Sequence, residues 1–148
     1  MKIRFLLVFL IMFAFKNTLI ANETMSLYDF SFEDIDGNHV NLDKFTGKPI
    51  LIVNTASRCG FTPQYADLQN LFLNYKNTDL TIIATTSNSF NQEYSDAEDI
   101  KQICLVNYGV GFVTSSPMDV KGNNIHPIYA WIDDNFNQKP KWNFFKYL

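Results

Sequence analysis

The sequence predicts an α/β domain in which helices cover a central β-sheet. Two apolar, β-branched runs have the composition of strands buried on both faces, and a helix signal follows each of them. Such an alternation of strands and helices is typical of a sheet with helices packed on its faces. The chain of 148 residues suffices for one domain with its own core and is too short for two ordinary ones.

The composition excludes several classes of protein. Hydrophobic residues make up 47% of the chain and charged residues 18%, which excludes intrinsic disorder. The net charge is −3 and the body of the chain carries no cluster of lysine or arginine, so a nucleic-acid partner is not expected. Two cysteines cannot form a disulfide scaffold, and two histidines leave little for a zinc site.

The first elements of the domain are a hairpin and a buried strand. Residues 28–32 alternate apolar and polar side chains, and Asp36-Gly37 supplies a turn before Val40 and Leu42, which predicts a hairpin. The continuous apolar run at residues 49–54 predicts the first strand of the central sheet.

A helix and a second strand are predicted next. Thr62 is expected to cap this helix, with Pro63 in the first helical position, where its missing N–H would have no partner anyway. One stripe of the helix is apolar at spacings of three and four: Tyr65, Leu68, Leu71, Phe72 and Tyr75. The β-branched run at residues 80–85 predicts the second strand.

The remaining elements follow from caps and turns. A capping box at Ser95 to Glu98 predicts a helix through about Asn107, with the acids of residues 93–99 at its start. A short strand at 118–120 and a turn at 121–123 are expected, after which Pro127 starts another helix with His126 as a capping or packing residue. Residues 142–148 have the composition of a strand. His39, in the hairpin, is expected to be solvated.

The N-terminus has the pattern of a secretory signal peptide over residues 1–21. Lys2 and Arg4 precede eleven apolar residues at 5–15, and the small Ala21 follows. Eleven apolar residues are too few for a helix that spans a bilayer, which needs about 20. We therefore expect export, to the periplasm or as a secreted protein, and no stable membrane insertion after cleavage. An uncleaved N-terminal anchor is the alternative.

Cys59 is the candidate for chemistry. It follows a predicted buried strand and precedes a predicted helix, which is the edge of an α/β sheet where ligands bind. The positive N-terminus of the helix and the neighbouring Arg58 both favour a thiolate over a thiol. An inert buried thiol is the alternative.

The residues around Cys59 resemble a known signature. Residues 54–65, Asn-Thr-Ala-Ser-Arg-Cys-Gly-Phe-Thr-Pro-Gln-Tyr, resemble the peroxidatic-cysteine motif of the glutathione peroxidase family. Later runs resemble the family in the same order: 107–110 (Asn-Tyr-Gly-Val), 126–129 (His-Pro-Ile-Tyr) and 142–148 (Trp-Asn-Phe-Phe-Lys-Tyr-Leu). The resemblance extends from Leu27 to the last residue. It implies a thioredoxin-like fold and reduction of hydroperoxides to water or alcohols by a cysteine thiolate, without a bound cofactor.

The resemblance also implies a catalytic tetrad of Cys, Gln, Trp and Asn. Cys59, Trp142 and Asn143 match three of its members. Ser89 stands where the family carries the glutamine, in a loop one residue shorter than usual, while Gln92 matches a glutamine further along the family motif and could only swing in as a substitute. Loss of one such donor costs about 2–4 kcal/mol of transition-state stabilisation, so weakened activity is expected.

The C-terminal end departs from the family in a second way. Family members continue beyond the Trp-Asn-Phe strand with an antiparallel strand and a final helix. Residues 22–148 are therefore expected to form a peroxidase domain that is either a truncated fragment or lacks an edge strand and a covering helix.

Cys104 is the candidate for a resolving cysteine. It lies on the predicted helix after the second strand, within one residue of the position where thioredoxin-dependent relatives carry the cysteine that attacks the sulfenic acid. The same stripe makes it a plausible core residue. The short segment between Tyr129 and Trp142 resembles that of monomeric members, whose reductant is a thioredoxin-like protein; glutathione is the alternative thiol reductant. A non-catalytic redox relay or binding module on the same fold is the alternative function.

Overall fold

The computed structural model describes residues 24–148, so the predicted signal peptide lies outside the described residues. The strands are β1 (Ser31–Glu33), β2 (His39–Asn41), β3 (Ile50–Thr55), β4 (Thr81–Thr86), β5 (Val113–Thr114) and β6 (Lys146–Tyr147). The helices are α1 (Gln64–Tyr75), α2 (Ala97–Lys101), which continues as a π-helical segment (Gln102–Asn107), and α3 (Pro127–Phe136). Within residues 24–148, no helix is both long and apolar enough to cross a membrane.

Two sheets are present in the described chain. The central sheet has the strand order β5-β4-β3-β6, with β3, β4 and β5 parallel and β6 antiparallel to β3. Strands β1 and β2 form the predicted hairpin, in which Phe32 pairs with Val40. The parallel pair β3–β4 is connected through α1, as a crossover between parallel strands requires.

Apolar side chains cover both faces of β3. Val53 packs into a cluster with Tyr65 of α1 and Ile100 of α2. Its neighbour Ile52 points to the other face, where it packs into a second cluster with residues of α3 that include Ile128. Burial of successive residues on opposite faces explains why this strand is a continuous apolar run, as predicted.

The strand predicted at residues 118–120 is wrong, because the strand beside β4 is β5, at Val113–Thr114. Pro117 has no N–H to donate to a ladder. Met118 makes a backbone bond to the carbonyl of Thr86, at the end of β4, and the chain then enters the predicted turn.

Two predicted helix caps are also wrong. Helix α1 begins at Gln64, one residue after Pro63, and receives no side-chain cap. The Thr62 hydroxyl bonds the cysteine loop instead. Helix α2 is capped by Asp96, whose carboxylate accepts the Glu98 N–H at 2.7 Å, so a box led by Ser95 does not form.

Helix α3 starts as predicted. His126 is its N-cap and accepts the Ile128 N–H through Nδ1, with Pro127 in the first turn. The predicted C-terminal strand is shorter than residues 142–148, because Phe144 adopts a positive φ of 62° and turns the chain before β6.

Candidate active site

Cys59 lies in the loop between β3 and α1, with 7% of its surface exposed. The Phe61 N–H donates to its sulfur at 3.3 Å. The Thr62 hydroxyl lies 2.9 Å from the Ala56 carbonyl and 2.7 Å from the Cys59 carbonyl, and it accepts the Cys59 N–H at 3.1 Å. One buried threonine therefore fixes the backbone on both sides of the sulfur.

Arg58 contacts the segment between β4 and α2 through both its side chain and its backbone. Its guanidinium lies over the ring of Tyr94, 5.4 Å from the ring centre, and the side chain is exposed. Its N–H donates to the Gln92 carbonyl at 2.9 Å. The loop that carries Cys59 is thus bound to the segment between β4 and α2.

Asn54, near the end of β3, holds the turn that carries Trp142 and Asn143. This side chain is fully buried. Its Nδ2 donates to the Trp142 carbonyl at 3.0 Å, its Oδ1 accepts the Phe145 N–H at 3.0 Å, and its backbone carbonyl accepts the Phe144 N–H at 2.6 Å. Asn54 was not singled out from the sequence, although a buried Asn at the end of an apolar run is a signal that such a partner exists.

Trp142 and Asn143 differ in exposure. Trp142 is 45% exposed, and its ring packs against Phe90 with ring centres 5.2 Å apart. Asn143 is buried; its Nδ2 donates to Gln92 Oε1 at 2.9 Å, and its Oδ1 has no partner within the described residues. The indole and the amide are therefore presented from one turn in different environments.

The Ser89 hydroxyl is bonded to residues other than Asn143. Its Oγ accepts the Val120 N–H at 3.0 Å, pairs with Ser87 Oγ at 3.0 Å and faces Asp119 Oδ1 at 3.5 Å. The side chain that contacts Asn143 is Gln92, three residues further along the same loop.

Glu93 is a buried carboxylate behind the cysteine loop. Its Oε1 accepts the N–H groups of Ser57, at 3.0 Å, and Tyr94, at 2.9 Å. Burial raises the pKa of Glu93 above its ordinary value. The acidic run in the sequence predicted a place at a helix start, but Glu93 lies before α2 and supports the loop instead.

Cys104 lies fully buried in the π-helical segment, in the same apolar cluster as Cys59. Burial raises the pKa of the Cys104 thiol to about 11. Both thiols are free. Among residues 24–148, no three His, Cys, Asp or Glu side chains converge where a metal ion could bind.

Comparison with known proteins decides the family. The family model described as glutathione peroxidase matches residues 27–133. The chain belongs to the glutathione peroxidase family. It is 41% identical over 128 residues to the glutathione peroxidase homolog BsaA of Staphylococcus epidermidis, covering 83% of this chain and 81% of that protein. It is also 41% identical over 126 residues to the glutathione peroxidase-like peroxiredoxin gpx1 of Schizosaccharomyces pombe, covering 82% and 80%.

Structural similarity agrees with this family. The crystal structure of Trgpx in apo form has a TM-score of 0.65 with this chain at 30% identity, covering 83% of this chain and 76% of the other. The predicted thioredoxin-like α/β fold and the predicted family are thereby confirmed.

Proposed function

We propose that this member of the glutathione peroxidase family is a thiol peroxidase that reduces hydroperoxides through Cys59. The thiolate attacks one peroxide oxygen, the S–O bond forms as the O–O bond breaks, and Cys59 becomes a sulfenic acid. The leaving oxygen takes a proton and departs as water or an alcohol. Relatives of this chain are named as peroxidases, which favours an enzyme over a non-catalytic relay.

The observation that carries the proposal is the common anchorage of two segments on the end of β3. Cys59 lies in the loop that leaves β3, and the turn with Trp142 and Asn143 is bonded to the side chain of Asn54, in the same strand. Amide and indole N–H groups at this end of the strand are suitable donors to the charge that develops on the leaving oxygen. The Phe61 N–H is a third donor, to the sulfur itself.

Cys104 is proposed to resolve the sulfenic acid. Its thiolate would attack the Cys59 sulfur to form a disulfide, with the hydroxyl group of the sulfenic acid leaving as water. A thioredoxin-like protein would then reduce this disulfide by thiol–disulfide exchange. A disulfide requires Cα atoms within about 7 Å of each other. Cys104 lies in a π-helical segment, a form of helix that is frequent at functional sites, and this segment is proposed to open for the reaction. Direct reduction of the sulfenic acid by glutathione is the alternative.

The location and the assembly state complete the proposal. The basic and apolar pattern of residues 1–21 supports export to the periplasm or secretion. The short segment between Tyr129 and Trp142 supports a monomer.

The test is the consumption of hydrogen peroxide and of an organic hydroperoxide with a thiol reductant. We expect turnover by the parent protein and none by Cys59→Ser, because the nucleophile is lost. Asn135→Ala, a substitution at an exposed residue of α3, is the control and should turn over peroxide as the parent does. If Cys59→Ser consumed peroxide as fast as the parent, Cys59 would not be the nucleophile. If Cys59 were oxidised only at the rate of a free thiol, the redox-relay alternative would be correct.

A further inference from the structure

Gln92 contacts both halves of the proposed active site. Its backbone carbonyl accepts the N–H of Arg58, which precedes Cys59, at 2.9 Å. Its side-chain Oε1 accepts Asn143 Nδ2, also at 2.9 Å. One residue thus joins the cysteine loop to the turn that carries the proposed donor.

The segment that carries Gln92 is itself well fixed. The next residue, Glu93, accepts the Ser57 N–H through its buried carboxylate and donates its own N–H to Asn88 Oδ1 at 3.1 Å. Asn91 adopts a positive φ of 59°, and its N–H bonds the Asn88 carbonyl at 2.8 Å, which closes the turn before Gln92. The Gln92 carbonyl therefore has little freedom to move relative to the cysteine loop.

The orientation of the Asn143 amide depends on this contact. Asn143 is buried and its Oδ1 has no partner, so the bond to Gln92 is the one side-chain hydrogen bond of Asn143 among residues 24–148. Without it the amide would have no polar partner to select one rotamer. A buried amide with no partner carries a desolvation penalty and loses a defined orientation.

We propose that Gln92 is a positioning residue, which holds the Asn143 amide in a fixed orientation relative to Cys59. Ser89, at the position of the family glutamine, does not contact Asn143, because its hydroxyl is bonded to Ser87 and Val120. Gln92 reaches Asn143 from the same loop. Because Asn143 is assigned a role in peroxide reduction, the role of Gln92 rests on the function proposed above.

The test is a double-mutant cycle on the full chain, with Gln92→Met and Asn143→Leu made singly and together. The measurement is the second-order rate constant for oxidation of Cys59 by hydrogen peroxide, followed by rapid-quench alkylation of the remaining thiol. We expect Gln92→Met to slow this step about tenfold, as for the loss of one hydrogen bond. The double variant should be no slower than Asn143→Leu alone, because Gln92 acts through Asn143.

Controls separate this role from a purely structural one. Gln138→Met makes the same change at an exposed glutamine that follows α3, and it should leave the rate unchanged. Gln92→Ala keeps the backbone bond to Arg58 and provides a second variant with the same expected loss. An unchanged rate in Gln92→Met and Gln92→Ala would overturn the positioning role while leaving the peroxidase intact. The same would follow if Gln92→Met slowed the reaction equally in the parent and in the Asn143→Leu variant. A parent protein that does not react with peroxide would overturn both.

Discussion

At the scale of single residues, His126 shows how a cap makes stability depend on pH. Its Nδ1 accepts the Ile128 N–H at the start of α3, which only an unprotonated Nδ1 can do. Burial lowers the pKa of His126 below its ordinary value of 6.5. The unfolded chain therefore binds this proton more readily than the folded one, and protonation destabilises the fold.

We predict that the stability due to His126 is complete above about pH 6.5 and is lost as the pH falls through its lowered pKa. His126→Asn should remove this dependence while keeping a cap, since Asn is a good N-cap. The parent should lose about 1 kcal/mol more than His126→Asn between pH 8 and pH 5, the usual worth of a cap. Urea unfolding at the two pH values measures this difference.

The matched control is His39→Asn, in the exposed position on β2. Its pH dependence should equal that of the parent. The raised pKa of Glu93 contributes with the opposite sign, since stability from that group is lost as the pH rises. Because Glu93 is present in every variant, the comparison isolates His126. Parallel pH profiles for the parent and His126→Asn would contradict the prediction.

Sequence patterns identified the candidate nucleophile but not the residues that hold its surroundings. Cys59 was predicted from its place between a strand and a helix, and the resemblance added Trp142 and Asn143. The roles of Gln92 and Glu93 could not be predicted, because the partners that define them, Asn143 and Ser57, lie more than thirty residues away along the chain. Hydrogen bonds of this kind leave no periodic signal in a single sequence.

At the scale of elements, the helix that carries Cys104 was predicted to be regular through Asn107. From Gln102 onward it is instead a π-helix, in which the Tyr108 N–H bonds the carbonyl of Ile103, five residues earlier. The sequence shows a period near 3.6 with Ile100 and Cys104 on the buried face. The change from bonds between residues i and i+4 to bonds between i and i+5 is not visible in that period.

We predict that Cys104→Ser abolishes the intramolecular disulfide after one equivalent of peroxide and leaves a sulfenic acid on Cys59. The burial that raises the pKa of the Cys104 thiol to about 11 makes it a poor nucleophile until the segment opens. Turnover with a thioredoxin-like reductant should therefore fall at least tenfold, while the first oxidation of Cys59 changes less than about twofold. Intact mass after oxidation detects the disulfide by its two lost hydrogen atoms.

Val106→Ser is the control, because Val106 is an exposed residue of the same π-helical segment. It should form the disulfide as the parent does. Full turnover by Cys104→Ser with the thioredoxin-like reductant would show that an external thiol reduces the sulfenic acid directly, and would contradict the resolving role of Cys104.

At the scale of the whole molecule, the sequence predicted the fold class because its strands and helices differ clearly in period and length. The apolar run that became β3 and the stripe from Tyr65 that became α1 are long signals. Strands β5 and β6 have two residues each, too few for any pattern to appear. Their places are fixed by pairing with β4 and β3, which is a property of the assembled sheet.

Asn54 is the residue through which distant parts of the chain depend on each other. Its side chain bonds two backbone groups that lie 88 and 91 residues further along. The turn it holds contains Phe144 in a left-handed conformation, which costs about 1–3 kcal/mol in a residue other than glycine and persists only where neighbouring contacts determine it. Loss of the Asn54 side-chain bonds should therefore lower the stability of the fold and displace Trp142 and Asn143 at the same time.

We predict that Asn54→Ala lowers the free energy of unfolding by about 2–4 kcal/mol, because the two hydrogen bonds of this buried side chain are lost and the Phe145 N–H is left without its partner. The same variant should slow the oxidation of Cys59, although the sulfur itself is untouched. Urea unfolding and the peroxide rate constant measure the two effects. Asn135→Ala, which removes one exposed bond within α3, should change stability by less than about 0.5 kcal/mol. A destabilised Asn54→Ala that still reacted at the parent rate would show that Cys59 does not need the C-terminal turn.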